Sequence, residues 1–174
     1  MELGPVERIT TDAVGEPGER TFFLQARSGG HLVTVTVEKQ QVQLLAASIL
    51  EILADVTLET GQGPSDEEME LEDPVEPLFR AGKLSIGYEP DRDLFLLEIE
   101  EFVPELEEDD PQALLEADPQ VLRLWATRDQ MLALSRYATV VAERGRPACQ
   151  FCGNPLDPRG HVCPAMNGHH SRTT

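Results

Sequence analysis

Thr21-Phe22-Phe23-Leu24-Gln25-Ala26-Arg27 and His31-Leu32-Val33-Thr34-Val35-Thr36-Val37 flank Ser28-Gly29-Gly30, and after Glu38 the chain enters the run Lys39 to Val56. Both flanking runs are rich in β-branched and aromatic residues. The glycine pair supplies the positive φ of a tight turn, so the stretch predicts a β-hairpin. In the run that follows, Val42, Leu45, Ala46, Ile49, Leu53 and Val56 recur at helical spacing on one face. An apolar helix face that leaves a hairpin directly is expected to pack back onto it.

Working outward, Phe79 to Tyr88, Leu94 to Val103 and Val121 to Ala126 predict three further strands, the first two joined by the turn Glu89-Pro90-Asp91-Arg92-Asp93. Thr127-Arg128-Asp129-Gln130 has the pattern of a capping box, in which the Thr hydroxyl and the Gln side chain satisfy free N–H groups at a helix start. The helix is expected over Arg128 to Glu143, with Met131, Leu134, Ala138 and Val141 turned inward. Val6 to Thr11 predicts a strand at the sheet edge. Val37 to Val42 leaves its strand for a helix much as Ala126 to Met131 does, the mark of a duplicated strand-then-helix unit. The expected fold class is α+β: an antiparallel sheet built from hairpins, two amphipathic helices on one face, and a C-terminal zinc-binding tail. The body spans 1–143 and the tail 144–174.

The 174 residues suffice for one domain with a real core. The formal net charge of −18 is concentrated. Residues 59–76 hold eight acids and 105–118 hold seven, with no Lys or Arg in either, which leaves 17 acids against 14 bases elsewhere. Gly, Pro and Ser break the first segment, so both read as solvated loops. No apolar run reaches the length of a membrane span and no leader pattern opens the chain, so the reading is a cytoplasmic protein with no membrane association. An acidic chain works against the electrostatic term of nucleic-acid affinity, so nucleic acid is not the expected partner.

The chemistry is concentrated near the C-terminus. Cys149-Gln150-Phe151-Cys152-Gly153 and His161-Val162-Cys163 hold all three cysteines and one histidine within fifteen residues. Two thiolates two residues apart grip one ion from a single turn, and a short irregular segment with prolines and a glycine brings His161 and Cys163 back to complete a tetrahedron. The predicted ligands are Cys149, Cys152, His161 and Cys163. Asp157, His169 and His170 are alternatives for the fourth. Four protein ligands leave no open position, so the ion is expected to be structural Zn2+. With all cysteines so committed, none is left for a disulfide framework.

The run Leu124-Trp125-Ala126-Thr127-Arg128-Asp129-Gln130, then Gly145-Arg146-Pro147, the cysteine tail through Cys163-Pro164, and Asn167-Gly168 resemble the actinobacterial family known as domain of unknown function 3090. The resemblance covers nearly the whole chain and implies the same four tail ligands. It also implies a cytoplasmic housekeeping setting, and it implies no established activity.

Catalytic patterns are wanting: there is no nucleophile elbow, no phosphate-cradling glycine loop and no metalloprotease motif. Turn chemistry accounts for His31, Asp91 and Asp93, an exposed strand face for Glu98, Glu100 and Glu101, and the core for Trp125. The functional reading is a non-enzymatic adaptor or regulatory protein with a protein partner. The alternative is an enzyme acting on a small molecule between sheet and tail, using Asn167, His169 or Arg146.

Overall fold

A computed structural model describes residues 1–104, 118–145, 148–154, 156 and 161–165. The strands are β1 (Glu2–Leu3), β2 (Arg8–Val14), β3 (Thr21–Ser28), β4 (His31–Val37), β5 (Pro77–Glu89), β6 (Leu94–Glu101) and β7 (Val121–Ala126); the helices are α1 (Lys39–Asp55) and α2 (Arg128–Glu143). The sheet order is β1-β7-β6-β5-β4-β3-β2. Ser28 pairs with His31 across Gly29 and Gly30, whose φ of 56° and 81° are the two positive values of a type I′ turn.

The sheet is mixed, which corrects the antiparallel expectation. β4 pairs parallel with β5, and β1 parallel with β7. The cause is α1: a helix that carries the chain from one strand back to its starting end returns it in the same direction. The helices pack on each other, with α1 against β5 and α2 against β2.

The duplication is larger than its sequence signal. Each half is a bent strand, two further strands and a helix. Residues 77–80 of β5 follow β4, and 81–89 turn to pair with β6. The N-terminal chain repeats this, pairing with β7 through β1 and with β3 through β2. The registers coincide: Glu2 opposite Arg123 matches Pro77 opposite Thr34, Ile9 opposite Ala26 matches Leu84 opposite Ile99, and Phe22 opposite Val37 matches Phe95 opposite Ala126. At each bend a helix-cap glutamine holds the backbone. The Gln41 amide donates to Ala81 O and Gly82 O at 3.3 and 3.0 Å, and that of Gln130 to Val6 O and Glu7 O at 2.9 and 3.3 Å. Val6 N donates to Trp125 O of β7 and the next residue, Glu7, to Arg27 O of β3. Adjacent residues thus bridge the two ends of the sheet, which must curl until they meet.

One apolar core joins both halves, from Ile9, Leu24 and Val35 to Leu97, Leu124, Ile49 and Leu134. Leu53 and Val56 are only half-buried. Trp125, expected in the core, lies on the outward row of β7, because Leu122, Leu124 and Ala126 take the inward positions of the alternation. Its Nε1 donates to Glu2 at 2.7 Å and the Arg92 guanidinium stacks 3.9 Å from the ring centroid, so a wet polar edge and a cation share its outer side.

The first acidic segment is ordered, contrary to the solvated loop expected. Ser65 and Glu68 form a capping box over the 3-10 turn Asp66–Met69, which packs between β2 and α2. Met69 is fully buried in the core. The backbone is what the body holds. Arg8 donates to Glu68 O and Glu70 O, Arg136 to Gln62 O and Pro64 O, Arg128 to Glu59 O, and the Gln25 amide exchanges two bonds with Glu72 N and O. Several carboxylates, Glu67 and Glu70 among them, stay in water, so acidity and order coexist. The second acidic segment, 105–118, lies outside the described residues except for Asp118.

Candidate metal centre

The residue after Cys152 shapes the first half of the site. Gly153 takes φ of 72° at no steric cost, its N–H donates to Cys149 O at 2.9 Å, and Cys149 N donates to Asn154 O at 2.8 Å. These bonds close a tight loop around the two cysteines and aim both sulfurs inward. His161 and Cys163 approach from the other side.

The four predicted residues converge. One ligand atom from each of Cys149, Cys152, His161 and Cys163 lies within 4.8 Å of every other. Cys149 Sγ and Cys163 Sγ are 3.7 Å apart, and Cys152 Sγ and His161 Nε2 are 3.2 Å apart. A tetrahedral ion with metal–sulfur bonds of about 2.3 Å sets neighbouring sulfurs about 3.8 Å apart, so the thiol pair already has the spacing of a filled site. Cys149 and Cys163 are buried, and Cys152 and His161 half-buried. Three thiols and an imidazole are a soft, nitrogen-and-sulfur donor set, which fits zinc and not calcium or magnesium. The alternatives Asp157, His169 and His170 lie outside the described residues, as do Arg146 and Asn167.

The electrostatics favour metal capture. The amides of Phe151 and Cys152 point at the Cys149 sulfur and, with the thiols of Cys152 and Cys163, lower its pKa to about 6 against the opposing effect of burial. It is therefore a thiolate at neutral pH. Cys152 shifts up: the Asn154 amide favours its thiolate, yet desolvation and the adjacent sulfurs of Cys149 and Cys163 outweigh that help. A bound cation reverses this penalty, because it stabilises every thiolate around it.

The site stands apart from the main core, which among the described residues includes none beyond Val141. Phe151 and Val162, one on each ligand-bearing turn, are 70% and 80% exposed. The described tail residues other than Cys149 and Cys163 thus have little apolar burial to hold them, and the four side chains that converge are suited to hold a metal ion.

The body contains two Tyr–Asp–Arg clusters, and neither is a catalytic pair. In the first, Tyr88 Oη donates to Asp93 at 2.6 Å and Arg128 grips the same carboxylate through Nε and Nη2 at 2.6 and 3.1 Å. Arg128 and then Tyr88 hold the Asp93 carboxyl below its ordinary range, and the bond to Asp93 raises the Tyr88 phenol. In the second, Tyr137 donates to Asp12 at 2.9 Å, and burial followed by that bond raises its phenol. Neither phenol titrates near neutral pH, and an arginine occupies the Asp93 carboxylate. A depressed carboxyl contributes stability above its ordinary pKa and loses it as pH falls through the folded value. The unfolding midpoint in urea should therefore fall on acidification below about pH 4, and fall less steeply in Asp93→Asn. Asn suits the left-handed φ of 52° at this position, so the backbone is not disturbed. Equal slopes in both proteins would show that the pair contributes nothing.

Among the described residues no helix is long and apolar enough to cross a membrane. A cavity of about 490 Å³ beside the first acidic segment is lined by Arg8 and Arg27 together with Glu7, Glu67, Glu68 and Glu72, with Arg27 2.8 Å from Glu72 and 3.2 Å from Glu7. Comparison with curated proteins and with solved structures returns no match. A family model does match, over residues 1–163, a span that takes in both halves of the body and all four ligand residues. The chain belongs to that family, described as Protein of unknown function (DUF3090).

Proposed function

We propose that this is a cytoplasmic, zinc-stapled interaction protein that performs no catalysis: the α+β body presents a surface to a protein partner, and a closed Cys3His zinc site holds the tail. The observation that carries the reading is the convergence of Cys149, Cys152, His161 and Cys163, which fills a tetrahedron with protein ligands and leaves no position for water or substrate. Bound there, zinc would supply folding energy to the tail and no Lewis-acid chemistry. Against catalysis stand the two structural Tyr–Asp–Arg clusters and the pairing of Arg27 with Glu7 and Glu72 in the groove beside the first acidic segment. A net charge of −18 disfavours nucleic acid as the partner.

The test is the metal content of untagged, freshly purified protein, with and without a thiol-blocking reagent. About one zinc per chain, released on blocking, is the expected result. Metal-free protein with freely reactive thiols would overturn the closed site. For the interaction reading, affinity capture from the native cell should return one protein in stoichiometric amount; its absence, with turnover of a small molecule, would make the protein an enzyme.

A further inference from the structure

The two halves of the body each make a groove between the helix and the bent strand beside it, and among the described residues only one groove is filled. Between α2 and β2 the chain's own 3-10 turn is seated, with Met69 fully buried and Ala133 of α2 covered. Thr10 Oγ1 donates to Met69 O, and the Arg8 guanidinium takes the carbonyls of Glu68 and Glu70. The equivalent groove between α1 and β5 is a cavity of about 300 Å³ lined by Leu44, Leu45, Ser48, Lys83, Leu84 and Ile86.

The coincident registers make the comparison residue by residue. Gln41 stands for Gln130, Leu44 for Ala133, Leu45 for Leu134, Lys83 for Arg8, Leu84 for Ile9 and Ser85 for Thr10. The groups that hold the plug in one groove thus have counterparts in the other: a cation, a hydroxyl and an apolar wall. No described residue is seated between them as Met69 is in the first groove. Leu44 is 61% exposed where Ala133 is fully buried. The Lys83 side chain is 68% exposed, with Glu100 at 3.6 Å where Arg8 holds carbonyls. Past Arg80, β5 has a strand partner only in β6, so its other edge is free to α1 and the groove.

We propose that the α1/β5 groove is the docking site for a short segment of a protein partner, built like the chain's own plug: one apolar side chain without a branch at Cβ, Met or Leu, flanked by acidic residues. The apolar anchor would fill the cavity between Leu44, Leu84 and Ile86, and Lys83 would meet the electronegative carbonyls and carboxylates beside it, as Arg8 does for Met69. This places the partner of the interaction protein proposed above and rests on that reading.

A synthetic peptide of the sequence Pro64 to Asp73 is the probe, added to the isotope-labelled full chain while amide resonances are recorded. Saturable shifts are expected at Leu44, Ser48 and Lys83 to Ile86. Leu44→Glu, at a largely exposed position that should leave the urea midpoint unchanged, should weaken binding about tenfold or more, and so should Met69→Ala in the peptide. No saturable shift at the groove would overturn the proposal. Shifts confined to Thr10 and Gln25 would also do so, since the peptide would then be displacing the plug. Concentration-dependent shifts at the groove without peptide would assign it to a second copy of this chain instead. Capture of a cellular partner equally well by Leu44→Glu would refute the groove and leave the interaction reading standing, whereas no partner for either form would refute the reading itself.

Discussion

Met69→Ala should destabilise the body by about 2–5 kcal/mol, a large share of the stability of a domain this size. Met69 is fully buried between β2 and α2, and truncating it leaves a cavity that the surroundings cannot close, because Arg8, Arg128, Arg136 and Gln25 hold the backbone on either side. Met69→Leu nearly preserves the volume and should cost less than about 1.5 kcal/mol. Denaturant unfolding of the three proteins measures both values. A change within about 0.5 kcal/mol for the alanine variant would mean the segment is solvated, as its composition suggests, and that the plug does not form.

Cys152→Ser should have the opposite profile, with a large effect on the tail and almost none on the body. Removing one of four ligands is expected to take zinc from about one per chain to none, and with it binding free energy on the order of 10 kcal/mol that holds a segment with little burial of its own. Elemental analysis reads the first result, and amide spectra should show residues after about 146 losing dispersion. The unfolding midpoint of the body should stay within about 0.5 kcal/mol of the parent, because the main core includes no tail residue. Loss of cooperative unfolding in the body would show that the tail is integral to the core and would overturn the division at residue 143.

Together these variants separate two ways in which the chain orders segments of poor composition. The acidic segment is held by arginines from β2 and α2 that bind its carbonyls, so Glu67 and Glu70 remain hydrated and the desolvation cost of its charge is avoided. No such hydrogen bonds reach the described tail residues, where ligation to one ion would take their place.

Local patterns were readable wherever the physics is local. The Gly29–Gly30 turn, the inward faces of both helices and the Thr127–Gln130 cap follow from φ preference, the 3.6-residue period and side-chain reach, all of which act within a few residues. The convergence of Cys149, Cys152, His161 and Cys163 was legible for the same reason, since two short turns carry them together. The reading of 59–76 as a solvated loop passed over one local signal: Ser65 and Glu68 have the spacing of a capping box, with an apolar residue, Met69, just past it among acids.

Other features depended on partners that are distant along the chain. The parallel pairing of β4 with β5 was set by the return path of α1, and the outward position of Trp125 by the register of β7 against β6, in which Leu124 faces Leu97. The arginines that order the acidic segment come from β2 and α2, about 60 to 70 positions away. Sequence by itself therefore determined the elements, the two apolar helix faces and the cluster of three cysteines and a histidine, because each rests on short-range sterics. Only the tertiary structure decided that the two halves close on each other, that one helix–strand groove is filled and that its twin is open among the described residues, because those outcomes depend on which surfaces meet once the sheet has curled.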